Sequence, residues 1–212
     1  MLEGLTEALA VFGPKDPDLI SAAGMALAAC GQAQLQAHVV ADPRSPLQDA
    51  RKLKALQKLQ ILCEGFDGPA FLKQLDSYEH RAASDGLLNP RPDVRLATAQ
   101  RVVADGVNTF DLVMAGDTLI TQKRVPLGQI LGAQAPSQWL QVSDNWVLAA
   151  ELATCSRQLG CGPDALPTLV VCMNLGHCEP GQGYGQAIEN SLSPEDVRTV
   201  LALRQWIAQQ RR

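Results

Sequence analysis

The sequence predicts an α+β, helix-rich fold: a helical N-terminal half, residues 1–88, followed by a mixed α/β C-terminal half, residues 89–212, with a β-hairpin near 111–122. Three observations lead there. Apolar residues recur at helical spacing in the first half, as in Leu47, Ala50, Leu53, Leu56, Leu59 and Leu62. After residue 108 the pattern changes, and "DLVMAGDTLITQ" sets matched β-prone runs on either side of Gly116-Asp117, a two-residue hairpin signal. Then "PTLVVCMNL" (167–175) forms a continuous apolar run of strand length. The two regions are also compatible with one continuous domain.

Each element has its own justification. In "DPDLISAAGMALAACG" (16–31), Asp16 is a plausible N-cap, Pro17 occupies the first helical position and Gly31 closes the helix, with Cys30 on the buried stripe. "SPLQDARKLKALQKLQILCEG" (45–65) starts at a Ser45 cap with Gln48 completing a capping box, and ends at Gly65. Its Arg51, Lys52, Lys54 and Lys58 read as the solvated face of an amphipathic helix. "DGPAFLKQLDSYEHRAAS" (67–84) repeats that logic and carries His80 with no assigned role. Residues 85–93, with two prolines and an Asp-Gly turn, form the candidate linker before a helix at 93–108. "SQWLQV" (137–142) reads as a short strand. A helix capped by Ser143 follows over 143–160, and the chain closes with a helix capped by Ser193, with Pro194 at its first position.

Composition narrows the function. Of 212 residues 46% are apolar, enough for a core, and only 4% are aromatic, so that core is built from Leu, Ala and Val. A net charge of −4 argues against a nucleic-acid surface. The opening "MLEGLTEALAVFG" has no basic n-region, and no stretch approaches the ~20 apolar residues of a membrane span. The expectation is a cytoplasmic protein with free cysteines. Between Val125 and Ile188 only Asp144, Glu151, Arg157, Asp164 and Glu179 are charged, as at a buried centre or a contact surface.

Four of the six cysteines lie in "CSRQLGCGPDALPTLVVCMNLGHC" (155–178). Cys155 and Cys172 fall on apolar stretches, where a thiol serves as a small hydrophobe. If a metal is held, its ligands are Cys161, His177 and Cys178, although the spacing lacks the paired C-x2-C of structural zinc sites. "GCGPDA" (160–165) follows a helix and so fails as a dinucleotide fingerprint. "GQGYGQAIEN" (181–190) is better placed for an anion, with Gly183 and Gly185 offering backbone N–H groups and Asp117 nearby as a candidate side chain. No cofactor is expected.

"VPLGQILGAQAPSQWL" (125–140) and "GYGQAIENSLSPEDVRTVLALRQ" (183–205) share a Gly-Gln, two apolar residues, a polar break and a Ser/Pro helix start. This pattern resembles the repeated motifs in the N-terminal domains of secretion and pilus ATPases, which bind cyclic di-GMP. The resemblance covers about 80 residues. It implies roles for Arg124, Leu127 and Gly128 in the first copy and for Gly185 in the second, which departs by lacking the basic residue before its Leu-Gly position.

The leading expectation is a non-catalytic cytosolic interaction or regulatory module. It would act through the charge-poor C-terminal surface on a protein partner or on itself, with no nucleic acid and no membrane. One alternative is a domain or enzyme binding a nucleotide, cyclic di-GMP included, or a phosphosugar at loops 116–117 and 181–185. Another is a Cys/His metal-binding protein.

Overall fold

The computed structural model describes residues 17–40, 50–69, 73, 86–105, 109–132, 139–155 and 161–211. The chain divides into two compact units, Met1–Glu79 with Cys155–Leu192, and His80–Thr154 with Ser193–Arg212. Every regular element among the described residues is a helix, so the mixed α/β half with its hairpin does not form.

The first unit holds α1 (Pro17–Val40), α2 (Ala50–Leu62), α7 (Leu166–Leu175) and α8 (Tyr184–Ser191). Helix α1 passes straight through Gly31, the expected stop, and runs on to Val40. Ala23, Ala26, Cys30 and Ala33 make its buried face, and side chains this small let α2 lie close against it. Helix α2 buries Ala55, Leu56 and Leu59 and gives way to a turn in which Gly65 takes φ +74°, the left-handed conformation expected of a helix-ending glycine. The Ser45 cap lies outside the described residues, as do His80 and most of the 67–84 stretch.

Helix α7 replaces the strand expected at 167–175. Its run is buried nearly all round (Leu166, Leu169, Val171, Cys172 and Met173), so no polar face marks the helical period. Pro167 sits in its first turn. Gly176, at φ +85°, caps its end by donating its N–H to the Cys172 carbonyl at 3.0 Å. Tyr184 and Ile188 of α8 complete this core.

The second unit holds α3 (Pro92–Asp105), α4 (Thr109–Thr121), α5 (Leu127–Leu131), α6 (Trp139–Thr154) and α9 (Pro194–Gln210). Helix α4 takes the place of the hairpin. Leu112, Ala115, Gly116 and Leu119 fall at helical spacing and are all buried, and Gly116-Asp117 is the middle of the helix. Helix propensity loses about 1 kcal/mol at Gly116, but packing requires it: a side chain there would occupy the Trp146 indole. Helix α6 begins at Trp139, so the strand expected at 137–142 is helical from Trp139 onward and Ser143 is an interior residue instead of a cap. Helix α9 starts as the sequence predicts: Asp196 donates its backbone N–H to Ser193 Oγ at 3.1 Å, with Pro194 following. Trp146, Val103, Leu112, Leu119, Leu203 and Ile207 are among this unit's largest closed side chains, all essentially shut off from solvent.

Candidate functional site

The six cysteines pair as three disulfides, Cys30–Cys63, Cys155–Cys161 and Cys172–Cys178, with Cα separations of 5.5, 5.5 and 5.4 Å. The first staples α1 to the end of α2. The other two repeat one device: a cysteine at the end of a helix bonds to a cysteine six positions later in the following loop. This corrects two expectations. The cysteines are not free thiols, and a chain with three such bonds belongs to an oxidising compartment, not the cytoplasm. Cys161 and Cys178 have no thiolate to offer a metal, because each sulfur is already bonded. His177 stands exposed beside Cys178, and among the described residues no group of three His, Cys, Asp or Glu side chains converges.

The basic stretch of α2 is exposed at Arg51, Lys54 and Lys58, as expected of a solvated face, and three of its cations also reach across to partners. Lys52 reaches across to donate its ammonium to the Asn174 carbonyl at 3.0 Å, one of the open carbonyls at the end of α7. A cation is favoured there because the helix terminus carries partial negative charge. The Lys52 stem runs over Gly176, where a Cβ would come within 2.5 Å of Lys52 Cε. Lys58 pairs with Asp164 just ahead of α7, and Arg51 lies 3.4 Å from Glu179 in the loop after it. Three cations of one helix therefore hold down both ends of the cysteine-rich segment. Each pair is exposed, and exposed pairs contribute about 0–1 kcal/mol apiece; their effect is chiefly to fix register.

The glycine loop is similarly occupied. Gly183 lies against the Cys161 carbonyl so closely that any side chain would collide with it, and the same carbonyl accepts the Tyr184 N–H at 2.9 Å. The Gly183 N–H donates to Gln186 Oε1 at 3.3 Å, so this expected anion donor has a partner within its own helix start. Gly185 is half-buried within α8. Asp117 is exposed in mid-α4, in the second unit, whereas the glycine loop belongs to the first.

The residues implied by the ATPase-domain resemblance fall in two units. Arg124, Leu127 and Gly128 lie in the second, at and before the start of α5, while Gly185 lies in the first. The end of α5 and the start of α9 do enclose a shallow groove of about 160 Å³ lined by Ile130, Leu131, Glu195, Arg198, Thr199 and Ala202. Its polar side chains include one cation and one carboxylate.

The charge-poor stretch 125–188 supplies part of the core among the described residues. Trp146 is 1% exposed, and Val142, Ala149, Ala150, Leu166, Leu169 and Met173 are buried with it. Among the described residues the exposed large hydrophobic residues lie elsewhere: Leu35 at 69% and Val39 at 41% on α1, Ile61 at 71% on α2, and Leu88, Phe110 and Leu201 in the second unit. Sequence reasoning passed over Leu35 and Val39 because the α1 helix was expected to stop at Gly31. The signal that finds them is the absence of any Asp, Glu, Lys or Arg from Leu19 to Ala41. No protein-family model, curated protein or solved structure matches this chain.

Proposed function

We propose that the protein is a disulfide-braced binding module that presents a fixed helical surface to a protein partner in an oxidising compartment. The observation that carries this reading is Leu35, standing 69% exposed one turn from Val39 on a helix with no Asp, Glu, Lys or Arg after Asp18. A solvated helix face ordinarily carries ionised side chains; here exposed Leu35 and Val39 stand among Gln32, Gln34 and His38 with no Asp, Glu, Lys or Arg, and depletion of charge beside exposed Leu and Val suits a contact surface. The disulfides support the same reading, because a helix held by Cys30–Cys63 keeps its face ordered before a partner arrives, and less entropy is lost on binding. A photoreactive amino acid at position 35 tests the proposal in cells that export the chain. Covalent adducts with protein at position 35, and none with the same probe at the exposed Gln57 of α2, are expected. Adduct formation at neither position contradicts the reading.

A second reading rests on the groove between α5 and α9, which combines segments of the two motif-like stretches. Arg198 would meet a phosphate of a small nucleotide such as cyclic di-GMP, with the opposing charge of Glu195 limiting how much anion the groove accepts. A thermal-shift screen with cyclic di-GMP, other nucleotides and phosphosugars tests it, and a raised melting temperature abolished by Arg198→Ala is the supporting result.

A further inference from the structure

We infer that the loop 176–183 is a redox latch, released when a dithiol reduces Cys172–Cys178 while Cys30–Cys63 stays closed. The inference rests on the disulfide pairing and not on the binding-module reading. The bonds differ in what a thiol can reach. Cys30 and Cys63 are both buried, so the staple between α1 and α2 is closed to solvent from either side. Cys172 is buried as well, at the end of α7, but its partner Cys178 is only half-buried in the loop beyond, between the exposed His177 and Glu179. Thiol–disulfide exchange needs access to one sulfur, and Cys178 supplies it.

Beyond that bond the loop is tied across by the Arg51–Glu179 pair, 3.4 Å apart, and a pair so exposed stabilises little. The Glu179 N–H donates to Gln182 Oε1 at 2.9 Å and the Gln182 N–H to the Glu179 carbonyl at 3.3 Å, so these hydrogen bonds stay within the loop. Its two ends are fixed separately. Gly176 caps α7, and at the far end Tyr184 donates its N–H to the Cys161 carbonyl, with Gly183 pressed against the same carbonyl. Breaking Cys172–Cys178 therefore frees the span between these anchors and leaves the helices in place.

The latch also closes again. Six positions separate its cysteines, against 33 for Cys30 and Cys63. A short span keeps the released thiols near each other, so oxidation restores the same bond, and the fold loses less when it opens. In the opening step a thiolate of the dithiol attacks Cys178 Sγ and the S–S bond breaks. Cys172 leaves with the electron pair and takes up a proton. The second thiol of the reductant then displaces Cys178, which leaves two protein thiols and the reductant oxidised to a cyclic disulfide.

Dithiothreitol added to the folded, oxidised full chain tests the latch. Thiols free at each time are alkylated with one reagent, and the rest, after unfolding and complete reduction, with an isotopically heavier one, so that peptide mapping follows each bond separately. Cys172–Cys178 is expected to open roughly tenfold faster than Cys30–Cys63, or more, with the far-ultraviolet circular dichroism unchanged. Amide hydrogen exchange should then accelerate over 177–182 and stay unchanged in α1 and α2. The double variant Cys172→Ala, Cys178→Ala should show the same exchange pattern without reductant. With glutathione in place of the dithiol and an acid quench, the mixed disulfide should be found on Cys178. Opening of Cys30–Cys63 at the same rate, loss of helix as Cys172–Cys178 opens, unchanged exchange over 177–182, or a mixed disulfide on Cys172 overturns the proposal.

Discussion

Gly116 of α4 lies against the face of Trp146 from α6, whose indole N–H donates to the Leu112 carbonyl at 2.8 Å. Trp206 of α9 completes the arrangement, with its ring centroid 6.0 Å from that of Trp146 and the planes tilted by 58°. One absent side chain therefore sets how α4 meets α6. Gly116→Ala is expected to destabilise the second unit by about 1–3 kcal/mol through overpacking, despite the better helix propensity of alanine. Urea denaturation followed by tryptophan fluorescence reads the loss. Trp146→Phe should cost about 1 kcal/mol or more by leaving the Leu112 carbonyl without its side-chain donor. Because the two positions touch, the double variant should be less destabilised than the sum of the single ones.

The disulfides should contribute unequally. In the chain-entropy description, closing a loop of the 33-residue separation between Cys30 and Cys63 is worth about 4 kcal/mol, and each six-residue closure about 2 kcal/mol. Replacing Cys30 and Cys63 together by Ala is expected to lower the stability of the first unit more than replacing Cys172 and Cys178. Denaturant titration of the two paired variants checks the order.

Lys52 and Gly176 form a matched pair at the end of α7. Gly176→Ala forces an L side chain into φ +85° and into the Lys52 stem, and is expected to cost about 1–2 kcal/mol. In a Lys52→Ala background the steric part disappears and the backbone part remains. Comparing the melting temperatures of the single and double variants separates the two.

Asp93 in the first turn of α3 accepts a 2.6 Å hydrogen bond from the Arg91 guanidinium, which holds its carboxyl below the ordinary carboxylate value. A folded-state value below the unfolded one means that the stabilisation is present above the unfolded pKa and is lost as pH falls through the folded one. Arg91→Gln should raise the Asp93 pKa toward the ordinary value. An NMR titration of the Asp93 side-chain carboxyl measures this directly, and salt should reduce the difference because the pair is exposed.

The helical character of 17–31 and 50–62, the Gly65 stop and the Ser193 cap were legible because each carries local signals that tertiary contacts only reinforce. The C-terminal elements were not, for three physical reasons. Helix α7 is buried on nearly every side, which erases the period that separates helix from strand; the remaining clue was Pro167 near its start and Gly176 just past its end. The Gly116-Asp117 pair imitates a hairpin turn, and only the distant Trp146 explains why glycine stands there. Gly31 imitates a helix stop, although nothing in its surroundings requires the chain to turn.

The cysteines carried a readable sign that composition alone obscured. Their number is even, and the interval from Cys155 to Cys161 is repeated from Cys172 to Cys178, each beginning at a helix end. The cytoplasmic expectation gave that repeat too little weight. At the glycine loop the sequence shows the glycines but not the reason for Gly183, which is the approach of the distant Cys161 carbonyl.

The braced scaffold on which the surface argument stands is tested most directly by alkylating the unreduced, denatured chain and mapping its peptides by mass spectrometry. The expected result is no alkylated cysteine, with linked peptides joining Cys30 to Cys63, Cys155 to Cys161 and Cys172 to Cys178. Six alkylated thiols in protein exported from the cell, or a different set of partners, would contradict it.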